Sequence, residues 1–319
     1  MKSTAAYVPP RIVTNDELSK LVDTSDEWIL SRTGIRARHI STGENTSDLC
    51  ANVCRQLLQK SGLSPLEIDM ILVATISADY ATPSTACITQ GIIGAHNAFC
   101  FDIGAACSGF LYGLSVAEKM IASGQCRNVI VIGAEILSKM VDWTDRTTCV
   151  LFGDGAGGML LMAEEEGGIL GENLFSDGCR AMAISGGYKP VQSAFAEAGA
   201  GMPFIRMDGR EVFDFATREV PKSIAALLEQ ANLSAGDISW FVPHQANERI
   251  VQIVARKLGV DMSRFYINIE RFGNTSSASI PIALAEMVDK GLLRLGSGEK
   301  IVLSGFGGGV TWGSMLVQL

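Results

Sequence analysis

The feature that most constrains this chain is an internal repeat, because its two halves carry similar segments in the same order. Residues 68–74, which form an apolar run, can be laid over residues 238–244. Cys107 begins a stretch of small and apolar residues that ends at Gly124, seventeen positions later. Asn274 begins a similar stretch that ends at Gly291, again seventeen positions later. This order and spacing within one chain predict the duplication of a single fold unit.

A short apolar run follows each of these stretches, at residues 129–133 and 301–305. Each half therefore has the pattern of a strand, a helix and a strand, and two unrelated α/β stretches of similar rhythm remain the alternative. If the halves pack about a pseudo-two-fold axis, the residues at which their helices begin come together. The repeat thus predicts one pocket that both halves line.

The apolar runs also indicate an α/β chain. Residues 70–74 and 128–133 are rich in β-branched side chains and apolar throughout, which is typical of strands buried on both faces. We therefore expect a mainly parallel or mixed sheet with helices on each side. Capping boxes mark the starts of the early helices, and they pair Thr14 with Glu17, Thr24 with Glu27, and Ser64 with Glu67.

The composition excludes several classes of protein. With 47% hydrophobic and 19% charged residues, the chain can bury a large core, and its net charge of -8 argues against a nucleic-acid partner. No run of eighteen apolar residues and no apolar N-terminal segment is present, so we expect a cytoplasmic protein with no membrane partner. The eight cysteines form no Cys-x-x-Cys pair, and Cys50 and Cys54 fit one face of an apolar helix. Reduced thiols and no metal site are therefore expected.

Three polar residues in turns of small residues are candidates for chemistry. Cys107 follows a strand-like segment and starts a helix, where free backbone N–H groups and the helix dipole favour a thiolate. His244 lies between a strand and a helix that starts near Glu248, and Asn274 lies in a second turn before a helix. Each residue alone has a structural alternative, as a packing thiol, a satisfied histidine or a helix cap. Around one pocket, a thiolate that faces two hydrogen-bond donors suits thioester chemistry.

Two glycine clusters lead to different predictions. Residues 153–158 satisfy the G-x-G-x-x-G pattern, but residues 159–162 continue as a short apolar strand and not as a helix. We therefore expect no nicotinamide or flavin site there. Residues 305–309 follow the buried strand of the second half. They either form a tight turn or supply a backbone N–H group that points at an oxyanion.

Four motifs together give a specific resemblance. They read AACSGF at 105–110, PHQAN at 243–247, GNTS at 273–276 and FGGGVTWG at 306–313. With them the chain resembles the 3-oxoacyl-[acyl-carrier-protein] synthase III family, which initiates bacterial fatty acid synthesis. The resemblance implies an α/β, thiolase-like fold with duplicated halves in five layers (α-β-α-β-α), and a homodimer. The expected halves are residues 1–163, with the cysteine, and residues 164–319, with the histidine and the asparagine.

The same resemblance implies a reaction in two steps. Cys107 would accept the acyl group of an acyl-CoA, and malonyl-acyl-carrier-protein would then enter and lose carbon dioxide. His244 and Asn274 would stabilise the resulting enolate, and the backbone N–H groups of Cys107 and Gly308 would bind the oxyanion. The product would be a 3-oxoacyl-acyl-carrier-protein, and no metal or redox cofactor would be required.

Binding residues also follow from the resemblance. Contacts to coenzyme A are expected from Trp28, Arg32, Arg146, Gly209 and Asn247. The helix after His244 would present a basic face to the acidic carrier protein. The residues expected there are Gln245, Ala246, Asn247, Glu248, Arg249, Arg256 and Lys257. Thr82 replaces a phenylalanine that some relatives insert into the acyl pocket of the dimer partner, so the primer length stays open. Asp214 replaces a lysine of some relatives, which would weaken the carrier contact.

Two other functions remain open at this point. A related Cys-His-Asn ketosynthase of secondary metabolism would use the same three residues. A non-catalytic protein that binds acyl groups or coenzyme A would not need all of Cys107, His244 and Asn274, so their joint presence argues against it.

Overall fold

The computed structural model describes residues 1–164, 167–196 and 199–319, and its helices and strands divide between two main sheets. The helices are α1 (Asn15–Leu18), α2 (Asp26–Thr33), α3 (Thr46–Ser61), α4 (Thr85–Ile93), α5 (Gly109–Ala122), α6 (Gly209–Gln230), α7 (Glu248–Leu258), α8 (Ile269–Phe272) and α9 (Ser279–Asp289). The strands are β1 (Ser3–Tyr7), β2 (Ile12–Thr14), β3 (Ala37–His39), β4 (Met70–Ala74), β5 (Phe99–Ile103), β6 (Asn128–Glu135), β7 (Gly155–Met162), β8 (Gly168–Ser176), β9 (Ile184–Ser185), β10 (Arg206–Met207), β11 (Trp240–Pro243), β12 (Lys300–Gly307) and β13 (Thr311–Gln318).

Each main sheet takes its strands from one of the two expected halves. The first has the order β1-β7-β6-β4-β5, and the second has the order β11-β12-β13-β8. Strands β5, β4 and β6 run parallel, as do β11 and β12, whereas β7, β1, β13 and β8 pair antiparallel with their neighbours. The expectation of a mixed sheet is therefore confirmed for both.

The elements stack in five layers, as the thiolase-like fold predicts. Helices α5 and α9 lie between the two sheets and contact strands of both. Helices α3 and α4 cover the outer face of the first sheet, and α6 and α7 cover that of the second. Three apolar cores fill the spaces between these layers, and the central one joins Phe110, Leu111 and Ile280 to buried strand residues of both sheets. Apolar strands buried on both faces thus account for the α-β-α-β-α order.

The repeat is present, but its register at the pocket differs from the sequence expectation. Cys107 lies in a short 3-10 turn, Ala106–Ser108, that leads into α5, and the matching turn before α9 is Ser276–Ala278. Ala106 and Ser276 begin these turns and share a positive φ, at 45° and 50°. The equivalent of Cys107 is therefore Ser277, and Asn274 lies three residues earlier. The earlier pairing was wrong because α9 is shorter than α5, so the glycines that end the two stretches are not in register.

Local signals were mostly correct. The capping boxes at Thr14 and Ser64 are formed. The one expected at Thr24 is not, because α2 begins a residue later and Ser25 accepts the hydrogen bond from the Trp28 N–H group. Cys50 and Cys54 are buried on α3.

The glycine cluster at 153–158 leads into β7 and is not a nucleotide loop. Its glycines allow close packing, since a Cβ atom on Gly157 would lie 2.6 Å from the Ile282 nitrogen.

Candidate active site

A cavity of about 570 Å³ lies where the two halves meet, and the three candidate residues share it. Cys107 comes from the turn before α5, His244 from the end of β11, and Asn274 from the turn after α8. The wall is mostly apolar and includes Leu137 and Phe306. A largely apolar cavity of this size with a few polar groups is typical of a small-molecule site.

The position of Cys107 is fixed by close contact with the second half. A Cβ atom on Gly307 would lie 2.6 Å from the Cys107 Cβ atom and 3.0 Å from its sulfur. Nearby, the Ser108 hydroxyl donates to the Thr311 carbonyl at 2.8 Å, and the Thr311 hydroxyl donates to the Ala105 carbonyl at 3.0 Å. Residue 307 must therefore be glycine for the nucleophile to rest against β12.

The resting thiol is protonated, in contrast to the expectation of a thiolate. Burial raises the pKa of Cys107 to about 12. Hydrogen bonding by Ser276 and by the N–H groups of Cys107 and Gly308 acts in the opposite direction and lowers this pKa. Desolvation therefore outweighs the field of the helix at this thiol. Both N–H groups are directed at the Cys107 sulfur.

His244 is held in a neutral form by its surroundings. Its side chain is buried, and burial lowers its pKa to about 3. The Nδ1 atom lies 2.7 Å from the Ser279 hydroxyl oxygen, which also accepts a hydrogen bond from the Gln245 N–H group at 3.3 Å. The serine proton is thereby directed at Nδ1, which favours the tautomer with the proton on Nε2. His244 can then donate a hydrogen bond into the cavity.

Asn274 is oriented by the backbone around it. Its Oδ1 atom accepts a hydrogen bond from the Ser276 N–H group at 2.9 Å, and its own N–H group donates to the Leu151 carbonyl at 2.9 Å. The side-chain oxygen is thus occupied, which leaves the amide NH₂ group as a donor. Asn274 is therefore not the cap of α9 but holds the turn before that helix, with its amide available as a second donor to the pocket.

The residues expected to bind coenzyme A fall into two groups. Gly209 and Asn247 line the cavity. Trp28, Arg32 and Arg146 form a separate cluster, in which the guanidinium groups of Arg32 and Arg146 lie 4.6 and 5.4 Å from the centre of the Trp28 ring. For an aromatic ring to stack between the Trp28 ring and the Arg146 guanidinium, these two groups would have to lie about 7 Å apart, which is twice a van der Waals contact distance. Arg146, which donates to the Asp23 carbonyl at 2.7 Å, would have to move outward to admit it.

Asn247 connects the two groups. Its side-chain oxygen caps α7 by accepting from the Arg249 N–H group at 2.9 Å, and its amide donates to the Arg32 carbonyl at 2.9 Å. Its side chain therefore holds α2, which carries Trp28 and Arg32, against α7 at the wall of the cavity.

The helix after His244 carries the expected basic face. Arg249, Arg256 and Lys257 are exposed, and the Arg249 guanidinium lies 5.8 Å from the ring of Phe213, which lines the cavity. Arg249 thus stands at the cavity mouth. Ala246 also lines the cavity, and Glu248 is half-buried.

Gln245 does not belong to this face. It is buried, donates to the carbonyls of Pro243 and Tyr266, and accepts from the Asn268 N–H group. A fully engaged side chain inside the protein cannot contact a docked partner, so the structure removes Gln245 from the expected set.

Thr82 is the residue that was expected to reach the acyl pocket of a dimer partner. Thr82 is exposed, precedes α4 and is not part of the cavity wall of this chain.

Across residues 1–164, 167–196 and 199–319, no cluster of His, Cys, Asp or Glu side chains could hold a metal ion. In the same ranges, none of the helices combines the length and apolar character needed to cross a bilayer.

The sequence pointed to the glycines at 307–309 as part of this pocket, but it did not show the packing role of Gly307 or the roles of two serines. Ser279 positions His244, Gly307 admits Cys107, and Ser276 lines the cavity with a buried hydroxyl. These serines lie in a run of four small residues at 276–279, of which three are serines, and the sequence gives no hint of which hydroxyl faces the pocket.

Family models and relatives with similar sequences match this chain. The model described as 3-oxoacyl-[acyl-carrier-protein (ACP)] synthase III matches residues 101–178, and its C-terminal counterpart matches residues 228–319. A beta-ketoacyl-[acyl-carrier-protein] synthase III from Streptococcus suis is 52% identical over 319 residues, which cover 100% of this chain and 98% of the relative. A protein with the same description from Lactococcus lactis is 52% identical over 99% of this chain and 97% of its own length.

Solved structures agree with these matches. The 3-oxoacyl-[acyl-carrier-protein] synthase III of Aquifex aeolicus has a TM-score of 0.93 at 40% identity, over 100% of this chain and 99% of its own. A priming beta-ketosynthase from the R1128 polyketide biosynthetic pathway has a TM-score of 0.90 at 34% identity, over 99% and 94% of the two chains.

Proposed function

The chain belongs to the 3-oxoacyl-[acyl-carrier-protein] synthase III family, the initiating condensing enzymes of fatty acid synthesis, and on this premise we propose that Cys107, His244 and Asn274 catalyse the condensation. The observation that carries the proposal is that one cavity brings together a thiol and two oriented hydrogen-bond donors. The substrates would be an acyl-CoA primer and malonyl-acyl-carrier-protein.

In the first step the Cys107 sulfur attacks the thioester carbon of the acyl-CoA. The bond between that carbon and the CoA sulfur breaks, and CoA leaves and gains a proton. The tetrahedral oxyanion is stabilised by the N–H groups of Cys107 and Gly308, which face the sulfur. The product is an acyl thioester on Cys107.

In the second step malonyl-acyl-carrier-protein loses carbon dioxide, and the electron pair of the broken bond forms an enolate. His244 and Asn274 donate hydrogen bonds to its oxygen, and each donor in a dry pocket is worth roughly 3 kcal/mol. The carbanion attacks the acyl carbon, and the Cys107 sulfur leaves and is reprotonated. A neutral His244 suits this role, because it can donate to the enolate without acting as a strong acid. These donors hold the developing charge, so the proposal needs no metal or redox cofactor.

The substrates would enter from the side on which Arg249 lies. Coenzyme A would run from the cluster of Trp28, Arg32 and Arg146 past Asn247 and Gly209 to Cys107. The carrier protein is acidic, and Arg249, Arg256 and Lys257 offer it positive charge in spite of the net charge of -8. Because Arg249 lies at the cavity mouth, this contact would lie next to the entry of the acyl arm.

A homodimer is proposed along the free edge of the first sheet. Strand β5 is the last strand of that sheet, and Phe99 on β5 and Ile92 on α4 expose large apolar side chains. An uncovered edge with apolar residues is suited to pairing with a second copy. Thr82 precedes α4 on this side, which fits the proposal that it reaches the acyl pocket of the partner.

The half-reactions can be measured separately. With His244→Ala or Asn274→Ala, labelled acetyl-CoA should still acylate Cys107, whereas release of carbon dioxide from malonyl-acyl-carrier-protein should be lost. If either variant decarboxylates at the wild-type rate, the assigned donors are wrong. Malonyl-CoA in place of malonyl-acyl-carrier-protein tests the alternative of a secondary-metabolism ketosynthase, because such an enzyme would be free to prefer another acceptor.

A further inference from the structure

An arginine lies buried beside the turn that carries Asn274, and the proposed condensation does not use it. Arg38 is on β3 and is fully buried. None of the ion pairs among the described residues includes Arg38, and its Nε atom has no hydrogen-bond partner there. Burial lowers the pKa of its guanidinium to about 10, which still leaves it charged at neutral pH. Because an unpaired charge is costly to bury, its presence indicates a role for Arg38.

The guanidinium group of Arg38 joins two parts of the chain as a fork. Its Nη1 atom donates to the Asn15 side-chain oxygen at 2.8 Å and, at 3.4 Å, to the Val13 carbonyl. Its Nη2 atom donates to the Val150 carbonyl at 2.7 Å. Val150 is buried, and within the described ranges no other donor reaches this carbonyl. Arg38 therefore satisfies and fixes the backbone at Val150.

The backbone that follows Val150 holds Asn274 on both sides. The Leu151 carbonyl accepts a hydrogen bond from the Asn274 N–H group at 2.9 Å, and the Gly153 N–H group donates to the Asn274 carbonyl at 3.0 Å. Phe152 thereby pairs with Asn274 in an isolated parallel bridge. The segment from Val150 to Gly153 is thus the support along which the Asn274 backbone is set.

The stem of Arg38 packs against the same place. A Cβ atom on Gly153 would lie 3.1 Å from the Arg38 Cβ atom, and a Cβ atom on Gly273 would lie 3.3 Å from it. Both distances are shorter than an ordinary van der Waals contact, so glycine at these two positions lets the arginine approach closely. Arg38 therefore contacts the turn of Asn274 directly and also holds, through Val150, the segment with which this turn pairs.

We propose that Arg38 is a positioning residue for Asn274, an inference that rests on the proposed role of Asn274 in the condensation. The guanidinium group fixes the Val150 carbonyl, residues 151–153 carry this constraint to the Asn274 backbone, and the Asn274 amide is thereby aimed at the enolate oxygen. Arg38 itself contacts no substrate, because it is fully buried and is not part of the cavity wall. Cys107 rests on β12 instead, so its reaction does not depend on Arg38.

Arg38→Met tests the proposal, because it keeps an unbranched stem and removes every donor. The release of carbon dioxide from malonyl-acyl-carrier-protein, measured on pre-acylated enzyme, should fall about tenfold in kcat at an unchanged KM. Acylation of Cys107 by labelled acetyl-CoA should keep its wild-type rate. Arg38→Lys retains the charge but not the planar fork, so it should show the same selective loss to a smaller degree. It provides the comparison if Arg38→Met does not fold.

Hydrogen exchange tests the same link without any substrate. In Arg38→Met, or in Arg38→Lys if the former does not fold, the amides of Gly153 and Asn274 should exchange about tenfold faster, because the bridge between them loses its anchor. The peptide that contains Cys107 should keep its wild-type exchange. Failure of the wild type to load or to decarboxylate would refute the proposed function and leave the exchange result readable.

Two controls separate positioning from general damage. Arg36→Met is the same change just before β3, at an exposed guanidinium that binds the Asp26 and Glu270 carboxylates, and it should change neither half-reaction. Leu57→Ala opens the buried core beneath α3 and should lower the melting temperature without a selective loss. Wild-type decarboxylation in both Arg38 variants, an equal loss in both half-reactions, or unchanged exchange at Gly153 and Asn274 would overturn the proposal.

Discussion

The contact between Gly307 and Cys107 gives the sharpest prediction for a single substitution. In Gly307→Ala the new Cβ atom would lie 2.6 Å from the Cys107 Cβ atom and 2.8 Å from its backbone nitrogen. The φ of Gly307 is -178°, an extended conformation that alanine adopts freely, so the effect is purely steric. Relief to an ordinary contact of 3.4 Å requires a shift of about 0.8 Å at Cys107.

A shift of this size should affect catalysis more than folding. Misplacement of reacting groups by about 1 Å can reduce a rate about 100-fold, and overpacking of this kind costs roughly 1–3 kcal/mol of stability. We therefore expect acyl loading from labelled acetyl-CoA to fall about 10- to 100-fold in a protein that still folds. The assay is the rate of acyl-enzyme formation, with thermal unfolding measured in parallel.

Gly171→Ala serves as the control for this substitution. Gly171 lies on β8 of the same sheet, and a Cβ atom there would meet only the Leu227 Cδ1 atom, at an ordinary 3.4 Å. It should retain wild-type loading. If Gly307→Ala loads acyl groups as fast as the wild type, the close fit of Cys107 against β12 does not position the nucleophile.

Three further predictions concern the other groups of the site. Ser279→Ala removes the hydrogen-bond partner of His244 Nδ1. Decarboxylation of malonyl-acyl-carrier-protein should then slow about tenfold, because one net hydrogen bond is worth roughly 1.4 kcal/mol. Loading of Cys107 should stay unchanged. Because burial lowers the pKa of His244 to about 3, the histidine stays neutral from pH 5 to pH 8, and the decarboxylation step measured on pre-acylated enzyme should not show a titration near pH 6.5. A histidine titration in that range would contradict the buried, neutral form. Arg249→Glu should weaken the use of malonyl-acyl-carrier-protein but not loading from acetyl-CoA. Arg55→Glu, the same change at an exposed position of α3, is the control and should affect neither half-reaction. Equal losses in both half-reactions of Arg249→Glu would show that Arg249 does not serve docking.

The fold could be predicted from the sequence wherever periodicity and order carry the information. Runs such as Met70–Ala74 are apolar throughout because helices cover both faces of the sheet, and the order of the motifs indicated two copies of one unit. The register between the copies could not be predicted in the same way. It depends on the length of α9, whose end is marked by Gly291, and the glycine gave the wrong offset because the helix is shorter than α5.

The site could be predicted less fully than the fold. Cys107, His244 and Asn274 stand next to small residues at the ends of strands and the starts of helices, and these local patterns pointed to them. Side-chain burial could not be predicted in the same way. Gln245 adjoins His244 in the sequence but faces inward, and the raised pKa of Cys107 arises from desolvation by both halves of the chain.

The central claim is that Cys107 alone carries the acyl group, and its most direct test is to locate that group. The protein is incubated with labelled acetyl-CoA, digested at low pH and mapped by mass spectrometry across all eight cysteines. The account predicts one acetyl thioester, on the peptide that contains Cys107, and none in Cys107→Ala. A label on the exposed thiols Cys87 or Cys179, or a label that persists in Cys107→Ala, would contradict it.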